Sequence, residues 1–500
     1  VSRSFSFPRP RPRGLLGRRL DGDEQLVLGG GLVCGLAVAV VVTSLPLRIF
    51  GFLTVAGASA WMTLAPYRGR TFLRWWEIRR TYRRLLRDGS LLYRSRAPYT
   101  GRRVDGRRPR VEVPPGVPRD MEWITARTTF GEIAILLQPR ERLFTAVVEV
   151  EGMGDFGSLD VGDKEALIRA YEFLLRSTAD GGGRICRLQW ILRLVPTDPN
   201  AHARDAADRR DPAAPPWLDQ SYAELIRTVA VTAEDRRLLL VLGIPYTTDL
   251  VAEARRYPSL HEGYAAVLGE EIETFVRSLA RGQLRLLRTL DEQGLASYLH
   301  HAYAPSHWID DTTGMDQVSA WPAEVDARAA GHLLSRSWES PTAGWYSRTA
   351  WIKAWPVLPV GVNFLAPLLL YTQDVIITVS VTMDLVPTDQ AISDAMADAT
   401  NELGQADKRP GKIEDPREQK DQRATVSTMR DIADGAAGIR MVGWVTVTSE
   451  SKDALRRDCD TVRNAATRSG LRLEWTDHEH HRAITNSLPF AGGILADGRR

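Results

Sequence analysis

The sequence predicts an α+β protein built behind a two-helix transmembrane hairpin. Three observations carry that reading. Leu26–Ala65 is apolar with one charge, Arg48. Arginine crowds both flanks of that block. The remaining chain alternates short β-patterned runs with helical ones, in two stretches that reach the same five residues, Leu194-Val195-Pro196-Thr197-Asp198 and Leu385-Val386-Pro387-Thr388-Asp389. After each copy come a helix, a strand and another helix. The pattern predicts two related α+β sandwich units with mixed or antiparallel sheets.

The apolar block is long enough for two crossings, since one needs roughly 20 residues. Ser44, Pro46 and Arg48 mark the turn, giving helices at Leu26–Leu45 and Ile49–Ala65. Ala58-Ser59-Ala60 resembles a signal cleavage site, but a signal core of roughly 7–15 apolar residues is far shorter than this block. Arg9, Arg11, Arg13, Arg18 and Arg19 precede the block, and Arg68, Arg70, Arg74, Arg79, Arg80, Arg83, Arg84 and Arg87 follow it. Basic residues near membrane ends stay in the cytoplasm. Both termini and the body are therefore expected on the cytoplasmic side of a cytoplasmic membrane.

Charge is distributed unevenly. Val1–Gln25 has six arginines against three acids, Tyr67–Asp120 sixteen against five, and Arg48 adds one; with +3 for the whole chain, Met121–Arg500 carries −12. A basic membrane flank suits anionic lipid headgroups. An acidic body lacks the basic face that tracks nucleic acid, so direct binding to nucleic acid is not expected. Cys34, Cys186 and Cys459 form no C-x-x-C pair, as in a reducing compartment.

The expected order of segments is a basic arm at 1–25, the hairpin at 26–66, a basic juxtamembrane helix and tether at 67–120, a first α+β unit at 121–303, a linker at 304–344 and a second unit at 345–500. In the juxtamembrane helix, Phe72, Trp75, Trp76, Tyr82, Leu85 and Leu86 are placed on one face and arginines on the other. That pattern assigns Arg74, Trp75, Trp76, Arg80, Arg83 and Arg84 to the membrane surface; an ordinary core-packed helix fits the same spacing. Strands are expected at Glu122–Thr128, Glu132–Gln138, Leu143–Val150, Ile185–Val195, Leu238–Ile244, Trp345–Trp355, Val375–Val386, Met441–Thr448 and Leu471–Trp475. Helices are expected at Lys164–Ser177, Leu218–Ala233, His261–Tyr303, Asp389–Leu403, Ala424–Ala437 and Lys452–Ser469. Asn200–Pro216 and Gln405–Gln422 read as polar interruptions.

Catalytic signatures are sparse. No G-x-x-x-x-G-K-[ST] phosphate loop and no G-x-S-x-G elbow occurs. Asp477-His478-Glu479-His480-His481 is dense in potential zinc ligands, but it lacks the H-E-x-x-H spacing and is read first as a polar turn after the last strand. A membrane-bound metal-dependent enzyme using His478, His480 and His481 is the alternative reading, and a DNA-handling membrane protein a further one. His300-His301 reads as a solvated helix cap, and Asp310-Asp311 as a turn.

Two stretches carry a resemblance: WIKAWPVLPVGVNFLAPLLLYTQDVIITVSVTMDLVP from Trp351, and LEWTDHEHHRAITNSLPFAGGI from Leu473. They resemble the N-terminal, motorless region of CagE/TrbE/VirB-type conjugal transfer ATPases, and the whole is similar to actinobacterial membrane proteins that accompany a separate conjugation ATPase. There a strand, then H-x-x-A, then a Leu-Pro segment leads into the motor; here His480 or His481 precedes Ala483, then Leu488-Pro489. The sequence ends at Arg500, where a motor would begin, so no catalysis and no cofactor is carried over. The resemblance implies a non-enzymatic, oligomeric component of a conjugative type IV-like secretion system, a platform for a separate transfer ATPase and other machine subunits. Ile484, Leu488, Pro489 and Phe490 are the expected docking edge; the competing expectation is that Leu488 and Phe490 pack onto the protein's own sheet.

Overall fold

The computed structural model describes residues 22–41, 44–64, 66–67, 70–95, 112–152, 159–196, 215–230, 234–356, 358–372, 374–393, 396 and 438–492. The basic arm before Gly22, most of the tether, the Asn200–Pro216 insertion up to Ala214 and the 401–437 stretch with its expected helix at Ala424–Ala437 lie outside the described residues.

Two helices, α1 (Gly22–Val41) and α2 (Leu45–Leu64), are long and apolar enough to cross a membrane. Each is shifted a few residues toward the N-terminus of its expected span. Pro46 opens α2 instead of lying in a turn, because proline is tolerated in a first turn where its missing N–H is not needed. Small residues bring the pair together: a Cβ on Gly31 would lie 2.1 Å from Ser59 Oγ, and one on Gly35 3.1 Å from the Phe52 ring. Outward, Val33, Leu36, Val40, Phe50, Leu53 and Trp61 are exposed, as lipid-facing side chains would be.

A short ribbon, β1 (Pro66–Tyr67) with β2 (Arg70–Thr71), leads into α3 (Phe72–Arg87) and β3 (Leu92–Arg94). The next stretch runs β4 (Glu122–Thr128), β5 (Gly131–Gln138), β6 (Leu143–Gly152), α4 (Val161–Asp180), β7 (Arg187–Pro196), α5 (Pro216–Ala230), β8 (Glu234–Pro245), α6 (Thr248–Ala254), α7 (Leu260–Ser278), β9 (Leu284–Thr289) and α8 (Glu292–Tyr303). Then come β10 (Glu324–Asp326), β11 (Leu333–Arg336), β12 (Trp345–Ala354), β13 (Ile376–Val386), β14 (Gly438–Ser449), α9 (Lys452–Arg468) and β15 (Arg472–Trp475).

All strands from β3 to β15 join one antiparallel sheet, ordered β3-β10-β11-β12-β14-β13-β7-β8-β6-β5-β4, with β9 also on β6 and β15 also on β12. The expected pair of separate sandwiches is thus fused. The strands ending in the repeated pentapeptide, β7 and β13, lie side by side from Ile377–Leu194 to Asp384–Arg187. Outward from that pair the order matches strand for strand, β8-β6-β5-β4 against β14-β12-β11-β10.

Two further expectations are corrected. The supposed linker supplies β10 and β11, whose mixed composition hides them. The expected long helix at His261–Tyr303 is broken: Gln283 takes a left-handed φ of 57°, Leu284 and Leu286 then alternate as β9, and Asp291 caps a new helix at the Gly294 N–H.

The sheet's two faces differ. On one, α4 and α7 pack against Ile133, Ile135, Phe144, Val148, Leu240 and Leu242, and α9 against Ile377, Val445 and Val447. The other face is covered by α8, the α3 region and the C-terminal segment. It presents buried Gln138, Thr145, Gln189, Arg193, Ser347, Thr349, Thr378, Ser380, Thr382, Thr446 and Thr448.

Candidate functional site

The two regions singled out by sequence meet. Helix α3 packs against the segment that follows β15, and the ribbon before α3 links both to the hairpin's base. Thr71 caps α3 by accepting from the Arg74 N–H and donates its hydroxyl proton to Glu24 of α1 at 2.8 Å. Next to it, Arg70 donates to Glu474 at 2.8 Å and to Glu479 at 2.7 Å. Burial works against the Arg70 charge, but the two carboxylates outweigh it and raise its pKa.

Ile78, Tyr82 and Leu85, spaced four and three apart, turn toward the body. Tyr82 donates to the Arg328 carbonyl at 2.5 Å and meets the His478 ring edge-on at 4.9 Å. The outward face holds Trp76, Arg80, Arg83, Arg84 and Arg87, all exposed. The Arg80 guanidinium lies 5.2 Å from the Trp76 ring, and Arg79 4.9 Å from Trp75. Aromatics and arginines therefore share a face, contrary to the expected division. Trp75 is half-buried beside Phe72, which meets Trp61 of the hairpin at 5.1 Å, and Arg74 is half-buried on the side of His478 and Glu479, paired with Glu77 at 3.2 Å.

The histidines of the Asp477–His481 cluster diverge. His478 takes a φ of 71° and turns to Tyr82. His480 is buried, with Nδ1 accepting from the Thr349 N–H at 3.3 Å and Nε2 3.5 Å from Asp477. Burial opposes the Asp477 charge, yet His480 and Arg348, the latter at 2.9 Å, hold its pKa down at about 2. His481 is buried, Nε2 has no partner, and burial together with Arg482 lowers its pKa to about 4. Among the described residues no three His, Cys, Asp or Glu side chains converge as a metal site. Asp477 and His478 form the polar turn, with Asp477 exposed, while His480 and His481 are buried beneath it.

Ile484, Leu488, Pro489 and Phe490 do not form an exposed edge. They are buried, and Ile484, Leu488 and Phe490 share a core with Leu136, Ile191, Tyr298 and Tyr303. The segment from His480 to Gly492 lies as a strap across the polar sheet face. It opens with a turn of α-helix at His480–Ala483 and a 3-10 turn at Ile484–Ser487; the non-helical backbone that follows is buried and needs partners, and the sheet supplies them. Ser487 Oγ lies 2.7 Å from Thr446 Oγ1. Gln189 donates to the carbonyls of Asn486 (2.9 Å) and Leu488 (3.0 Å) and accepts from the Ala491 N–H at 2.8 Å. Gln138 donates to the Phe490 carbonyl at 3.1 Å, Arg187 to that of Ala491 at 3.0 Å, and Thr382 to that of Gly492 at 2.9 Å. The strap thereby ties β5 and β7 of one half to β13 and β14 of the other.

Sequence reasoning missed a second buried polar group. His300 and His301 are not solvated: His300 Nδ1 lies 2.8 Å from the Ser319 carbonyl, His301 Nδ1 2.7 Å from that of His307, and burial lowers both pKa values. His307 lies between Ser297 Oγ (3.1 Å) and Glu339 (2.8 Å). This has the connectivity of a catalytic triad without its access. Ser297 is fully buried, and its hydroxyl donates to the Ile309 carbonyl at 2.8 Å. The set fastens the chain after α8 to the end of β11. Asp310, read as part of a turn, is ion-paired to Arg237 and Arg288. No family model and no curated protein matches the chain.

Proposed function

We propose that the chain is a membrane-anchored assembly subunit whose body is a rigid platform for other subunits. The observation that carries this reading is the joint at Arg70 and Thr71. There the apolar hairpin is tied to the body through Glu24, Glu474 and Glu479. The outward arginines and Trp76 of α3 are the surface for anionic lipid headgroups, each basic residue contributing about 1 kcal/mol. The sequence resemblance adds the setting: a conjugative type IV-like secretion system in the cytoplasmic membrane, with a separate transfer ATPase as partner. The matching strand order and the repeated pentapeptide support a duplicated unit as the origin of the body. Both hairpin ends face the cytoplasm in this reading.

Purification of the full chain from cross-linked membranes, read by mass spectrometry, tests it. Recovery of a motor ATPase with other membrane subunits supports the platform. A chain recovered alone, turning over ATP that survives repeated purification, contradicts it. Tags at Val1 and after Arg500 should both resist protease added to intact cells; cleavage of either from outside overturns the orientation.

A further inference from the structure

The β10–β11 hairpin has two ends. Its turn faces the membrane joint, where Arg328 accepts from Tyr82 and Ala330 accepts from the His478 N–H at 2.7 Å. Its open end, where Glu324 pairs with Arg336, leads away to Trp338 and Glu339. There Trp308 is 65 % exposed and the Glu339 side chain 54 % exposed. Trp338 is exposed as well, and so is Asp311.

These groups are held in place. Trp338 Nε1 donates to the Trp321 carbonyl at 3.1 Å, which fixes its indole. His307 Nδ1 donates to Glu339 at 2.8 Å, which fixes the carboxylate beside the residue that precedes Trp308. Ring and carboxylate are ordered before any partner arrives, so binding loses little side-chain freedom. Elsewhere this protein seats guanidinium groups on its own indoles: Arg79 on Trp75 at 4.9 Å, Arg80 on Trp76 at 5.2 Å and Arg348 on Trp475 at 4.8 Å. Among the described residues no cation lies over Trp308 or Trp338.

We propose that Trp308, Trp338, Glu339 and Asp311 form a docking surface, at the end of the sheet away from the membrane joint, for an arginine-rich segment of a protein partner. An indole face attracts a cation and a neighbouring carboxylate accepts its N–H groups. The −12 charge of Met121–Arg500 steers such a segment toward the body. The inference rests on the platform reading and names one of its docking sites.

The test uses the full chain in phosphatidylcholine nanodiscs and a fluorescent dodecapeptide of repeated Arg-Arg-Ala, with its Glu-Glu-Ala counterpart as control. Binding should be saturable, salt-dependent and absent for the acidic peptide. Trp308→Ala, at an unchanged melting temperature, and Glu339→Gln, which keeps an acceptor for His307 Nδ1, should each weaken it roughly 5- to 30-fold. Trp308→Phe should recover part of the loss, and Glu141→Gln, at an exposed position on another loop, should bind as wild type. Equal binding by all variants, or equal loss in Glu141→Gln, overturns the site. That outcome leaves the platform reading to stand or fall on subunit recovery.

Discussion

The two faces of the central sheet use different chemistry to reach the same burial. One is sealed by helices α4, α7 and α9, whose own backbones are satisfied internally, so its strands present valine, leucine and isoleucine. The other is sealed partly by a strap whose irregular end, after Ser487, has carbonyls and N–H groups that need partners. On that side β12, β13 and β14 present threonine and serine and β7 presents Gln189, beside apolar Leu136, Val147, Ile191 and Val241. The lesson is that a polar stripe on a strand does not by itself mark a solvent face. It can mark the seat of non-helical backbone.

The strongest way to break this comparison is to empty each face in turn. Phe490→Ala on the strap should cost about 3–5 kcal/mol, comparable to the roughly 2–5 kcal/mol of Leu268→Ala on the buried side of α7, both read by denaturant unfolding. A strap that is only an exposed docking edge would melt unchanged with Phe490→Ala.

A second prediction concerns acid. His481 has a folded-state pKa of about 4 against an ordinary value of 6.5, so the unfolded chain takes the proton first as pH falls. Its contribution is fully present above 6.5, declines through the window from 6.5 to about 4, and changes no further below. The loss amounts to about 3 kcal/mol. His481→Leu should flatten that part of the stability–pH curve, and an unchanged slope would separate the strap from acid sensitivity.

Gln189→Leu sharpens the polar side of the contrast. It leaves the Ala491 N–H and the Leu488 carbonyl without their partner at nearly constant volume, costing about 2–3 kcal/mol in thermal unfolding. The smallest stability effect is expected at the outward face of α3. Changing Arg80, Arg83 and Arg84 to Ala should move stability by no more than about 0.5 kcal/mol each. The same triple change should weaken flotation with anionic vesicles by roughly 1 kcal/mol per removed charge.

Much of this architecture was legible in the sequence. The two helices of the apolar block and the strands with clear valine alternation lie within a few residues of where composition and periodicity put them. What escaped did so for physical reasons. Glu324–Asp326 is too short and too charged to announce a strand, and it pairs only because β3 and β11 flank it. Thr378-Val379-Ser380-Val381-Thr382 reads locally as a half-exposed strand, since alternation cannot say whether a strap lies over the polar side. Leu488 and Phe490 looked like anchors in a polar rim, and they are anchors, but turned into their own sheet. The Ser297–His307–Glu339 contact joins three segments no local pattern links.

The central claim is that the strap is an integral part of the core spanning both halves. Native-state hydrogen exchange at the Ala491 amide, whose acceptor is Gln189 Oε1, tests it most directly. The account predicts exchange only through global unfolding, at the free energy found for Val445 and Ile191 in the sheet's centre. Exchange within seconds at Ala491, while those strand amides stay protected, would contradict it.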